Sequence, residues 1–214
     1  MQTWAIVVAA GGGARFGGTK QFAPLGAGTV VDRSVAVAGA ACDEVVVVLP
    51  ANCEWQAPAG VHTATGGRTR SASVRAGLAA VPQTVDVVVV HDAARPLASR
   101  GLFARVIAAV NDGADAAVPG LQMPDTVKRT RDGVVVETIP RDHLVAVQTP
   151  QAFRRDALAR AHAADGTDTD DAALVEADGG KVVVVEGEPR NFKVTLPADL
   201  ELAQMLIESE GGQS

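Results

Sequence analysis

The chain has almost no cysteine, no excess of basic charge and no long apolar run, and each shortage removes a class of function. Cys42 and Cys53 are its two thiols. They lie at no metal-ligand spacing, and two in a chain of 214 residues build no disulfide framework. A reducing cytoplasm is the expected setting. Nineteen Lys and Arg stand against 25 Asp and Glu, a formal net charge of −6. The chain therefore lacks the basic stripe with which general nucleic-acid binders neutralise backbone phosphates, and no nucleic-acid partner is expected. No apolar run approaches the roughly 18 residues of a membrane helix. The opening MQTWAIVVAAGGG lacks the basic flank and apolar length of a secretory signal, so no membrane partner is expected either. Repeats and low-complexity blocks are absent, although alanine is abundant.

What remains is the composition of a globular α/β protein, 47% apolar and 21% charged. That length and apolar content suit one sizeable core, so residues 1–210 are expected to form a single domain and 211–214 a flexible tail. Apolar, β-branched runs at Ala5–Ala9, Val45–Leu49, Val87–Val90 and Ala114–Val118 read as buried strands. Alanine-rich stretches at Val30–Ala40, Ser71–Ala80 and Leu102–Val110 read as the helices between them. This alternation predicts a doubly wound, mostly parallel, Rossmann-like sheet with helices on both faces. Two strand-like runs, Thr126–Arg129 and Val134–Thr138, flank Asp132-Gly133, a hairpin signal. They predict a β-arm over about residues 124–146, either lying on the parent sheet or, the reading favoured, protruding to reach a second subunit. Helices over Phe153–Ala163 and Asp170–Ala177, a strand over Val182–Val185 and a last helix over Pro197–Ile207 complete the expectation.

The first strand runs into a glycine-rich turn that carries Arg15 and Lys20. Glycines let backbone N–H groups approach an anion with no Cβ in the way, and the two cations stabilise phosphoryl oxygens as their charge grows. The spacing argues against two better-known loops. Counting from Gly11, the last glycine of a dinucleotide fingerprint is replaced by Phe16. A P-loop needs Lys directly after its last glycine, whereas Thr19 separates Gly18 from Lys20.

In an open α/β sheet ligands sit beyond the carboxyl ends of the strands, so polar residues just after apolar runs are the candidates. HDAARP at 91–96 places Asp92 at a strand end, where a carboxylate suits a Mg²⁺ that bridges phosphate oxygens, with Arg95 close by. Asp92 as a helix cap or turn carboxylate is the simpler alternative. His91, ending a buried run, is taken as a hydrogen-bonded packing residue. GGRTRSASV at 66–74 leads paired glycines and two serines into a helix, with Ser71 the candidate cap. NFKVT at 191–195 offers Lys193 to a second phosphate.

These segments, with AAGGGARF at 9–16, KQF at 20–22, DTVK at 125–128, QTPQAF at 148–153 and TDDA at 169–172, span nearly the whole chain. Together they resemble the 2-C-methyl-D-erythritol 4-phosphate cytidylyltransferases of the non-mevalonate isoprenoid pathway. The resemblance implies transfer of the cytidylyl group of CTP to that polyol phosphate, with pyrophosphate as the leaving group and Mg²⁺ as cofactor. A related acceptor such as ribitol 5-phosphate, or a nucleotide-binding regulator without turnover, are the alternatives. By resemblance, Arg15 and Lys20 stabilise the transition state, and Ala9, Ala10, Gly11, Gly12, Gly13, Gly66, Gly67, Ser73 and Ala93 hold CTP. Asp92 is the metal ligand, and Arg95, Thr126, Thr169 and Lys193 surround the acceptor phosphate, Lys193 also counting as catalytic. Arg141 matches an arginine given across a homodimer to the neighbouring site. Two positions depart from the family pattern: Thr19 stands where a proline usually precedes the lysine, and Arg190 where a second carboxylate usually precedes the asparagine.

Overall fold

The computed structural model describes residues 1–12, 16, 18–163 and 170–211. Four runs of valine-rich sequence become the centre of an eight-stranded sheet. β1 (Thr3–Val8) lies between β4 (Glu44–Leu49) and β6 (Val87–Asp92), parallel to both. β5 (Val61–Thr65) extends the sheet beyond β4, also parallel. On the other side β11 (Gln151–Arg154) runs antiparallel between β6 and β7 (Ala116–Gln122), so β6 and β7 point the same way. β12 (Val182–Glu186) is parallel to β7, and β10 (Val145–Val147) antiparallel to it. The mostly parallel α/β sheet expected from the sequence is therefore present.

Alternation along each central strand sends neighbouring residues to opposite faces, which is why the runs are apolar throughout. Ile6, Val46, Val48, Val88 and Val90 face α2 (Arg70–Ala80), α4 (Arg155–Ala163) and α5 (Asp171–Ala177), packing on Val74, Leu78, Leu158 and Leu174. Ala5, Val7, Val45, Val47, Val87 and Val89 face α1 (Val30–Gly39) and α3 (Arg100–Asn111), packing on Val31, Val35, Phe103 and Val106. α2 comes so close to the sheet that a Cβ on Gly77 would lie 2.5 Å from Ile6 Cγ2, leaving no room for any other residue. A third apolar cluster, Leu25, Val30, Val194 and Ala203, docks α6 (Pro197–Gly211) against the small hairpin of β2 (Pro24–Leu25) and β3 (Gly28–Thr29).

Four expectations are corrected. The helix expected from Phe153 starts at Arg155, because Ala152 and Phe153 are fully buried in β11, where pairing on both edges outweighs local helical pattern. Ser71 is not the cap of α2. Thr69 is, its side chain accepting from Ala72 N–H at 3.0 Å. The fourth of the expected strands begins at Ala116 rather than Ala114, since Gly113 and Asp115 complete the turn out of α3. The last helix continues to Gly211, into the stretch read as tail. Residues 164–169, between α4 and α5, lie outside the described residues.

β8 (Val127–Arg131) and β9 (Val134–Ile139) form the expected hairpin as a separate two-stranded sheet, with Asp132 and Gly133 both at positive φ in its turn. It projects from the sheet, and Val134, Val135 and Val136 are more than half exposed.

Candidate active site

Because β1, β4, β5 and β6 share a direction, the loops after β1, β5 and β6 meet at one end of the sheet. They enclose a cleft of about 420 Å³ lined by Ala9, Ala10, Gly11, Gly12, Lys20, Gly67, Arg68, Arg70, Ser73, Asp92, Ala93 and Lys193. Ten of the residues expected to carry chemistry are thus brought together. Gly66 sits just behind, and it explains the glycine pair. A Cβ there would fall 2.3 Å from Ala10 Cβ and 2.9 Å from Ser73 Oγ, and one on Gly67 would fall 2.5 Å from Ala72 Cβ. Only glycine lets the start of α2 approach the first loop this closely. Ser73 Oγ donates to Thr69 carbonyl at 3.0 Å, so toward the cleft its oxygen remains an acceptor.

The first loop is clamped from below. Gln21, buried in a short 3₁₀ turn (Lys20–Phe22), donates to the carbonyls of Ala9 at 2.7 Å and Gly11 at 2.9 Å. That fixes the turn from which Lys20 reaches the cleft. Thr19, in the place of the family's usual proline, has φ −78°, close to the value a proline ring would impose. Arg15 and Gly13 lie outside the described residues.

Asp92 ends β6 with its carboxylate held on both sides. Lys193 Nζ donates to Oδ2 at 2.5 Å and Arg70 Nε to Oδ1 at 3.2 Å. Burial works to raise the Asp92 pKa, but Arg70 and then Lys193 outweigh it and hold the carboxyl well below the usual range. Burial likewise works against the Arg70 charge, and Asp92 and Asp171 together overcome it. Asp92 is therefore an ionised strand-end carboxylate paired with two cations.

Lys193 owes its position to its neighbours. Asn191 is fully buried and donates to Thr149 carbonyl at 2.9 Å, and its own carbonyl accepts from Arg95 at 2.7 Å. Val194, also fully buried, donates its N–H to Ala94 carbonyl at 2.8 Å. Lys193 stands between these two anchors. His91 is the packing residue expected. Thr149 Oγ1 accepts from Asp92 N–H at 3.0 Å, so its one proton goes to His91 Nδ1 at 3.2 Å, and Nε2–H donates to Arg95 carbonyl at 3.2 Å.

Other expected residues lie elsewhere. The Arg95 guanidinium turns to Asn191 behind the cleft wall. Thr126 and Arg141 are exposed at the base of the hairpin, where Arg141 donates to Pro124 carbonyl, and neither lines the cleft of its own chain. Thr169 is outside the described residues. Arg190 lines a separate hollow with Arg33, Leu97 and Glu188, so it places no charge beside Asp92. Gln21, Thr149, Arg70 and Asp171 were missed as individuals, although each falls inside a segment that had been singled out.

Among the described residues no three His, Cys, Asp or Glu side chains gather as a resident metal site. A lone carboxylate between two cations instead fits a Mg²⁺ that brings its other ligands, phosphate oxygens and water, with the nucleotide.

Comparison with known proteins agrees with this geometry. Residues 3–209 match the model of the family described as IspD, 2-C-methyl-D-erythritol 4-phosphate cytidylyltransferase. A protein of that name from Rhodococcus jostii is 45% identical over 215 residues, covering 95% of this chain and 94% of its own length. A bifunctional enzyme IspD/IspF of Nitratidesulfovibrio vulgaris is 41% identical over 94% of this chain, which spans only 57% of that longer protein. The crystal structure of 2-C-methyl-D-erythritol 4-phosphate cytidylyltransferase from Thermus thermophilus superposes with a TM-score of 0.83 at 38% identity, covering 95% of this chain and 98% of the other. The chain belongs to this cytidylyltransferase family.

Proposed function

We propose that the chain transfers the cytidylyl group of CTP to 2-C-methyl-D-erythritol 4-phosphate, giving 4-diphosphocytidyl-2-C-methyl-D-erythritol and pyrophosphate. The observation that carries this reading is the cleft itself. A glycine-rich loop, Lys20, and the ion pair of Lys193 with Asp92 share one strand-end pocket, inside a chain that belongs to the family.

The acceptor phosphate attacks the α-phosphorus of CTP in line. One P–O bond forms to the acceptor oxygen while the bond to the β-phosphate bridge breaks, and the electron pair leaves with pyrophosphate. The attacking oxygen is already deprotonated near neutral pH, so no general base and no covalent enzyme intermediate are required. Most of the barrier reduction comes from holding two mutually repelling anions in line and from stabilising charge on the phosphoryl oxygens. Lys20, with Arg15, performs the second task. Lys193, held between two buried anchors, faces the acceptor phosphate and returns its charge to Asp92 when that site is empty. Mg²⁺, held by Asp92, would neutralise charge on the triphosphate.

The same reading makes residues 1–210 one domain and the hairpin a homodimer clasp. The exposure of Val134, Val135 and Val136 and the distance of Arg141 from its own cleft favour a partner whose site Arg141 completes. Cys42 and Cys53 are both free thiols, which suits the cytoplasm. The test is pyrophosphate release with CTP and each of two acceptors, methylerythritol 4-phosphate and ribitol 5-phosphate. Preference for the first is expected, and preference for the second, or no release with either, overturns the assignment.

A further inference from the structure

Arg70 does more than neutralise Asp92. Its Nη1 also donates to Asp171 Oδ2 at 2.6 Å, so one guanidinium bridges a carboxylate at the end of β6 and another in the first turn of α5. Asp171 is 1% exposed, and the residues that follow it in α5, Ala172, Leu174 and Val175, are buried in the apolar core. Its other oxygen faces His162 Nε2 at 2.9 Å, His162 Nδ1 faces Ser71 Oγ at 3.5 Å, and Ser71 Oγ accepts from Arg75 at 3.1 Å. This chain of contacts ties α4 and α5 to α2 behind the cleft wall. A buried ion pair of this kind gives little net stability, because desolvation of both charges offsets their attraction and apolar side chains would pack as well. What it gives is direction. A flexible arginine touching Asp92 alone has many ways to do so, and one gripped at two edges of its planar fork has few.

We propose that Asp171 is a positioning residue for cytidylyl transfer, acting through Arg70 to fix the Asp92 carboxylate. The inference rests on the reading of the cleft given above. With Asp171 in place, Arg70 Nε takes Asp92 Oδ1, and the other oxygen is left for Lys193 or a ligand. Without it, Arg70, which lines the cleft, loses the contact that sets its Nη1 edge and is less tightly oriented on Asp92. CTP is then bound at least as well in the ground state while the geometry for in-line attack is lost. A merely structural defect produces the opposite pattern, less folded protein with normal turnover per folded molecule.

Asp171→Asn, Arg70→Lys and the double variant are compared with wild type. The readouts are kcat, CTP affinity by calorimetry, and folded fraction by thermal unfolding. Asp171→Asn is expected to lower kcat by about thirtyfold to a hundredfold, the scale of a misplaced reacting group, with CTP affinity unchanged or tighter. Arg70→Lys, which leaves the buried carboxylate in place, should lower kcat similarly, and the double variant should be no slower than the slower single one. Turnover per folded molecule within twofold of wild type in either single variant overturns the proposal, as do losses that multiply. A readout independent of substrate is the slowly exchanging Arg70 Nε–H resonance, identified by its loss in Arg70→Lys. It should disappear in Asp171→Asn. Its persistence there overturns the linkage even if wild type releases no pyrophosphate, an outcome that would by itself remove only the functional assignment.

Discussion

Lowering pH should loosen the candidate site through His91 before it touches Asp92. His91 is fully buried, and burial pushes its pKa down from 6.5 to about 4, with Asp92 and the Arg95 carbonyl acting weakly in the other direction. The neutral imidazole is the native form, accepting from Thr149 and donating to Arg95. Above the unfolded value of 6.5 neither state is protonated and the group costs nothing. As pH falls from 6.5 toward 4 the unfolded chain takes up a proton the native chain refuses, so stability declines, and below about 4 the loss is complete. A shift of about 2.5 units corresponds to about 3 kcal/mol. Asp92 behaves with the opposite proton preference and a different window. Its carboxyl is held below the usual range, so its stabilisation is intact above the ordinary aspartate value of 3.8 and is lost only below it. Urea unfolding of wild type and His91→Gln between about pH 7 and pH 4 isolates the histidine by difference. Wild type should lose about 3 kcal/mol more than the variant across that interval, and the His91 ring carbon shift should stay at its neutral value until near pH 4. Parallel pH profiles for the two proteins, or a ring that titrates near 6.5, would refute the reasoning.

Gly66→Ala drives a methyl group into Ala10 and Ser73, an overpacking of about 1–3 kcal/mol, and should weaken CTP binding about tenfold or more by pushing the first loop off α2. Wild-type affinity in calorimetry would show that the close approach is not what holds the nucleotide loop. Lys20→Ala should lower kcat about a hundredfold, the effect of one preorganised donor worth roughly 3 kcal/mol, with CTP affinity changed far less; near-normal turnover removes Lys20 from the chemistry. Mixing Arg141→Ala subunits with Lys20→Ala subunits should recover part of the activity, since one site of the mixed dimer then carries both residues. No recovery despite demonstrated exchange of subunits counts against a site shared through the hairpin.

The parallel centre of the sheet was legible because burial on both faces leaves β1, β4 and β6 almost no choice but valine and its like. Two strands without an apolar run or a turn signal were not. β5, with the sequence VHTAT, sits at the sheet edge and carries no apolar run, and β11 hides a four-residue strand inside what reads as the start of a helix. The site followed the same division. Asp92, Lys193 and the glycine pair could be found because they stand directly after strands or at glycine-marked turns, where local sequence reports backbone geometry. Arg70, Asp171 and Thr149 act through partners 101, 101 and 57 residues away, and no local pattern encodes a pairing across that separation.

Net charge misleads in a similar way. A chain at −6 is a poor partner for an extended polyanion, and the absence of a basic stripe was a sound reason to set nucleic acid aside. Yet among the described residues four cationic side chains, Lys20, Arg68, Arg70 and Lys193, line one small cleft with a single carboxylate. Asp92 offsets part of that crowding by sitting between two of the cations, Lys193 and Arg70, and Asp171 takes up part of the Arg70 charge. A compact polyanion can replace those internal partners one at a time, which a long duplex cannot. Under the proposed function, the carboxylate that balances Lys193 would become available to Mg²⁺ once phosphate takes over that lysine, so charge balance and metal recruitment would be two states of one side chain.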